Sequence, residues 1–218
     1  MIKIKKRKKP QCLLDNAEIW TKEYLSAIES GGKISEEIKN RYNRNDIKDE
    51  LEKETYGKCA YCESKIKSIS FGDIEHILPK NKDARPDLYV EWSNLTIACE
   101  VCNRENKKDY YKVDDPLINP VDEDPNDYLK ALGPLITYKP GNRKGQITTD
   151  ILKLNRSELI EKRTERIRQI MNMIDKWAVE TNKQYKDILA ENILKECTVD
   201  KEYSFVIKEF VKQSGIVM

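Results

Sequence analysis

Four cysteines stand as two CxxC pairs, Cys59/Cys62 in CAYC and Cys99/Cys102 in CEVC, and between them lies His76, the one histidine of the chain. Two close pairs let each loop present two sulfurs without strain, as a tetrahedral four-thiolate structural zinc requires. The pairs are separated by 36 residues. A simple zinc ribbon leaves about 15–20, so something is inserted between the knuckles. The insert carries GDIEHILP, with Glu75 directly before His76, and Asn103 follows the second pair at once. Imidazole has the ordinary pKa best suited to moving a proton near neutrality. Glu75 and Asn103 offer hard oxygen atoms, which suit a magnesium or manganese ion rather than a thiolate-loving one. Phosphodiester hydrolysis needs a base for water, a cation for the charge that develops, and rigid placement of both. These residue types could supply all three.

The bland readings are a redox pair or plain buried thiols for the cysteines, and a satisfied structural residue for a lone histidine. A redox CxxC is expected to open a helix in a βαβ setting, which these flanks do not resemble. The position of His76 inside the insert, beside a carboxylate, favours chemistry. Asn94, in WSNL, can hydrogen-bond backbone and pin the loop that carries the base. Arg104, Lys107 and Lys108 follow the second knuckle and could contact phosphate. The candidate catalytic set is His76, Asn94 and Asn103, with Glu75 and Asn103 as ligands of the catalytic ion and the four cysteines as ligands of zinc. One difficulty is geometric: neighbours in a strand point to opposite faces. Glu75 and His76 can then share a site only where the strand twists or ends, which Pro79 makes plausible. Asp73 shares the face of Glu75 and is the reserve ligand.

The chain of 218 residues is 36% charged, yet 40 basic residues against 38 acidic leave a net charge of only +2. Bulk charge therefore does not announce a nucleic-acid binder, and local clusters must carry that case. Three tryptophans and eleven tyrosines argue against wholesale disorder. No stretch approaches the roughly 18 apolar residues of a membrane span. The basic run MIKIKKRKKP lacks the apolar segment of a secretory signal. Paired cysteines in a lysine-rich chain without such a signal fit thiolates in a reducing cytoplasm. Cys12 and Cys197 stand alone and read as buried structural thiols.

Residues 1–55 read as a basic arm followed by helices over Leu13–Glu29 and Ser35–Glu54. The arm is a solvated tail or edge strand, or else a contact for phosphate. Residues 56–118 hold the zinc-clamped core: a strand over Phe71–Leu78, an extended piece over Trp92–Ala98, and a helix from Asn103. Residues 119–218 read as a loop with a short helix near Asp127–Leu132, then a hairpin of Leu135–Lys139 and Gln146–Ile151. Helices over Ser157–Glu180, Lys183–Glu196 and Lys201–Lys212 follow. The fold class is α+β: a zinc-clamped ββα-metal core with helices before it and a mostly helical region after it.

GDIEHILP, WSNL and the asparagine after the second CxxC resemble the HNH, or ββα-metal, nuclease family over roughly residues 56–109. The resemblance implies that Glu75 stands where aspartate is commoner and that Asn103 replaces the usual histidine ligand. Over a longer span, WSNLTIACEVCN, LINP and ILKLNRSELIEKR look like the nuclease subunit of Septu anti-phage systems and its retron-associated relatives. That likeness implies a nuclease acting on DNA or a structured RNA such as tRNA. It also implies an ATPase partner of the SMC/ABC type, docked on the helices after Ser157. The rival from another class is a zinc-knuckle adaptor that binds nucleic acid or protein without cutting. A restriction or homing endonuclease would need a recognition domain, which is not apparent.

Overall fold

The computed structural model describes residues 1–68 and 72–216. At its centre lies a two-stranded antiparallel sheet, β1 (Asp73–His76) and β2 (Leu95–Ala98), with Glu75 opposite Thr96 and His76 opposite Leu95. All four residues of β2 are buried, which requires cover on both faces. The strand expected over Phe71–Leu78 is shorter. Phe71 lies outside the described residues, and Leu78 gives both its backbone groups to the Asn94 side chain rather than to a neighbouring strand. Trp92–Asn94 forms a 3-10 turn, started by the Glu91 carboxylate accepting from the Ser93 N–H. The extended piece therefore begins only at Leu95. The helix expected from Asn103 is a π-helical segment, Val101–Lys107, that starts two residues earlier.

Before this unit come α1 (Gln11–Glu29), α2 (Glu36–Asn40) and α3 (Asn45–Glu54). The single helix expected over Ser35–Glu54 is thus broken. The cause is Tyr89, whose hydroxyl donates to the Ile38 carbonyl and accepts the Arg41 N–H. The chain turns at residues 41–44, which brings Tyr42 inward, and restarts as α3. The basic arm is not a loose tail. Met1 and Ile4 are buried, the Met1 ammonium pairs with Glu63 at 2.7 Å, and the Ile4 N–H donates to the Pro120 carbonyl. Lys6 sits 3.7 Å over the Trp92 ring and donates to Glu54 and to the Leu95 carbonyl. The arm is a strap across β2, with Lys3, Lys5, Arg7 and Lys8 left outside.

After the core, the hairpin falls elsewhere than expected. It joins β3 (Leu129–Leu132) to β4 (Leu135–Tyr138), so Leu129–Leu132 is strand rather than helix. Gly133, with φ of +56°, makes the turn. Residues 143–151 are not strand but helix, α4 (Arg143–Ile151), because the Asn142 side chain accepts the Gly145 N–H and caps it. α5 (Ser157–Val179), α6 (Lys183–Lys195) and α7 (Ser204–Gln213) complete the chain. Cys197 is buried and Cys12 only half-buried. Among the described residues no helix is long and apolar enough to cross a membrane.

Gly145 fixes how α4 meets the hairpin. A Cβ there would lie 2.6 Å from the Tyr128 carbonyl oxygen and 2.9 Å from the Tyr138 Cβ. Gly145→Ala should therefore cost about 1–3 kcal/mol despite alanine's better helix propensity, read as a lower urea midpoint with the m-value unchanged.

Candidate active site

The first knuckle turns tightly, with the Glu63 N–H donating to the Cys59 carbonyl and Glu63 in the left-handed region. The Ala60 N–H donates to the Ile97 carbonyl, which fastens this knuckle to β2. The second knuckle follows β2 directly, and the Asn103 N–H closes onto the Cys99 carbonyl. All six cysteines are free. The Sγ atoms of Cys59, Cys62, Cys99 and Cys102 lie within 4.8 Å of one another, with Cys62 and Cys99 at 3.9 Å. Tetrahedral zinc with bonds of about 2.3 Å asks for sulfurs about 3.8 Å apart. The four residues fit zinc in number, donor type and spacing.

His76 is buried, and its Nε2 lies 2.8 Å from the Tyr89 carbonyl oxygen. A carbonyl can only accept, so Nε2 carries the proton and Nδ1 keeps its lone pair. Burial, reinforced by the Lys80 ammonium, pushes the imidazole down to about 3. The ring is therefore neutral at pH 7. A phosphodiester anion beside it would act in the opposite sense and raise its affinity for a proton. Asn94, also buried, accepts the Leu78 N–H at 2.8 Å and donates to the Leu78 and Leu88 carbonyls. Its contacts are all with backbone, so it positions the loop after His76.

Glu75 points away from His76, as strand alternation requires. Its Oε1 accepts from the Tyr61 hydroxyl at 2.9 Å and from Lys107 Nζ at 2.7 Å. Lys107, expected on the surface as a phosphate contact, is instead buried. Its ammonium also donates to the His76 carbonyl, which ties the π-helical segment to β1. The expectation fails because a carboxylate and a free carbonyl wait beneath that turn. Arg104 and Lys108 are exposed. Arg104 pairs with Asp73 Oδ1 at 2.6 Å, while Asp73 Oδ2 is buried without a hydrogen-bond partner. An orphaned carboxylate oxygen beside Glu75 is a donor that an oxygen-loving cation would satisfy. Asn103 is half-buried at the start of the same segment. Asp73, Glu75 and Asn103 thus fit magnesium or manganese in donor chemistry.

The sequence reading missed three residues around His76. Tyr42 meets the imidazole edge-on with ring centroids 4.6 Å apart, and Tyr89 lies parallel to it at 6.5 Å. Lys80 sits 4.1 Å over the Tyr42 ring and donates to its hydroxyl. Burial, with Lys39 nearby, brings Lys80 down to about 8. The one signal for Tyr42 was the irregular five-residue step from Tyr42 to Ile47, where helical periodicity falters.

Residues 59–109 match a family model described as HNH endonuclease. The chain is 31% identical over 199 residues to Septu protein PtuB of Bacillus mycoides (strain KBAB4), covering 76% of this chain and 66% of that protein. It is 31% identical over 156 residues to Septu protein PtuB of Bacillus thuringiensis, covering 71% and 55%. Septu protein PtuA of Bacillus mycoides is 25% identical over 192 residues, which are 74% of this chain but 26% of that protein. The chain thus spans between about half and two thirds of the length of these PtuB relatives.

Two measurements probe the frame. Elemental analysis should find about one zinc per chain, and Cys59→Ser should abolish it and expose residues 57–110 to hydrogen exchange. Asn94→Ala leaves the Leu78 N–H and carbonyl without their partners and should cost about 1–3 kcal/mol in urea unfolding, with zinc retained.

Proposed function

The chain belongs, through residues 59–109, to the HNH endonuclease family, and from that premise we propose that it is a metal-dependent nuclease cutting DNA or a structured RNA such as tRNA. In this reading it is the effector of an anti-phage defence system and works with an ATPase subunit of the SMC/ABC type. The observation that carries the catalytic part is the Nε2–H bond of His76 to the Tyr89 carbonyl, which leaves Nδ1 as a fixed, neutral acceptor. The similarity to proteins named Septu PtuB and Septu PtuA supports the defence setting and a second component. Free, clustered thiols support a cytoplasmic location.

His76 Nδ1 takes the proton of the attacking water, and the Tyr89 carbonyl stabilises the imidazolium that results. Asn94 holds the loop that aims the ring. Glu75 or Asp73, with Asn103, would hold magnesium or manganese, and such an ion would supply positive charge against the phosphoryl oxygens. Arg104, exposed on the same segment, and Lys108 contact the flanking phosphates, so binding weakens steeply with salt.

The adaptor reading has its own observations: a deeply buried imidazole and a Glu75 already occupied by Lys107. Incubation with plasmid and total RNA in magnesium, with and without the ATPase, separates the two. Cleavage should require the divalent ion and be lost in His76→Ala, whose zinc content and fold should persist. Equal behaviour of wild type and His76→Ala means an adaptor.

The α5–α6 hairpin is the proposed docking element. Met171, Val179, Tyr185 and Ile188 are exposed apolar side chains along it, which a partner could cover. Ile188→Glu should abolish copurification of the ATPase while zinc content and melting temperature stay at wild-type values. Retained copurification would place the docking surface elsewhere.

A further inference from the structure

We propose that Arg156, at the start of α5, belongs to the outer shell of the four-cysteine ion, so that the C-terminal helical region helps to hold the metal. The proposal rests on the zinc reading of the cysteine cluster and extends it to residues well outside the knuckles. Nη1 and Nη2 of Arg156 both lie 3.7 Å from Cys102 Sγ, so the guanidinium fork closes on a single sulfur. Arg163 is wholly buried. Its Nη1 donates to the Leu154 and Pro134 carbonyls, while Nε and Nη2 have no hydrogen-bond partner.

A guanidinium buried among carbonyls is costly unless an anion lies close. Glu63 does not meet that need alone. Its carboxylate already serves the Met1 ammonium, Lys58 and Ser204. Four thiolates on one divalent zinc would leave the cluster with two net negative charges. Without that anion, Met1, Lys58, Arg156 and Arg163 would set four cations against one carboxylate. With it the charges come nearly into balance.

A second line of contact runs from the same quarter. The Tyr203 and Ser64 hydroxyls are 2.9 Å apart, and Ser64 Oγ is 3.4 Å from Cys62 Sγ. The Arg163 guanidinium faces the Tyr203 ring at 5.8 Å. The C-terminal region thus reaches Cys102 directly through Arg156, and Cys62 only through Ser64, which Tyr203 meets. Hydrogen bonds to zinc thiolates restrain sulfur charge and slow ligand loss, and partners of this kind commonly tune metal affinity by about 10–100-fold.

The test measures zinc transfer from the full-length protein to a colorimetric chelator. Arg156→Met should lose zinc about tenfold or more faster than wild type. Arg156→Lys, which keeps the charge but not the fork, should fall between them. Arg168→Met, on an exposed part of α5, should match wild type. Stability in urea with and without zinc supplies the readout that a merely structural role would not move. Arg156→Met should shrink the stabilisation that zinc confers, rather than lower both states equally. Zinc loss within twofold of wild type in a folded Arg156→Met protein overturns the proposal. Should that variant not fold, wild-type kinetics in Arg156→Lys overturn it instead. Wild-type protein that binds no zinc would refute the underlying metal reading, a distinct result.

Discussion

Four sulfur atoms gathered within 4.8 Å bring together the two knuckles that bracket β1 and β2. The first knuckle is bonded to β2 through Ala60 and Ile97, and the second continues β2 into the segment that bears Asn103. Closing the two knuckles on one ion therefore fixes the distance between β1, which carries His76, and the turn that carries Asn103 and Arg104. This stretch buries apolar side chains of its own, among them Tyr61, Ile66, Ile74, Leu95 and Ile97, and zinc on the four sulfurs would add folding free energy, on the order of 10 kcal/mol in small zinc domains. The basic strap and α3 then close over β2 from outside, through Trp92, Lys6 and Glu54.

The parts of this arrangement that were legible in the sequence are those whose side chains have few alternatives. Two closely spaced CxxC pairs suit a four-sulfur metal site and little else, and an asparagine just before a buried strand is well suited to bond backbone. The parts that were not legible depend on what lies opposite. Lys107 looks like any solvated lysine until Glu75 and the His76 carbonyl appear beneath it. The arm reads as a tail by charge count. Yet Met1 and Ile4 are buried, and the arm forms neither a solvated tail nor an edge strand. The hairpin was set too late in the chain because PGNRKG was read as its turn. In the structure Gly133 makes the turn, and Asn142 in PGNRKG starts a helix by capping it.

The surroundings of His76 fix a buried imidazole in one tautomer and one orientation. Its tautomer is chosen by a backbone carbonyl, and its ring plane by Tyr42 and Tyr89. Among the described residues no titratable side chain is hydrogen-bonded to the ring, so burial comes first in setting its proton affinity and the Lys80 ammonium second. In the proposed nuclease, a phosphodiester anion beside the ring would act in the opposite sense.

The same reasoning discriminates between the two carboxylates of β1. Glu75 Oε1 already has a cation at 2.7 Å and a hydroxyl at 2.9 Å. A divalent ion that claimed it would strand the Lys107 ammonium in a dry site, a penalty of several kcal/mol. Asp73 Oδ2 is buried with nothing to satisfy it, and its neighbour Arg104 is exposed and free to swing toward phosphate. The proposed ion would meet in Asp73 Oδ2 an oxygen with no hydrogen bond to displace, although Oδ1 is held by Arg104. Glu75 is better suited to holding Lys107, and through it the backbone of His76, in place.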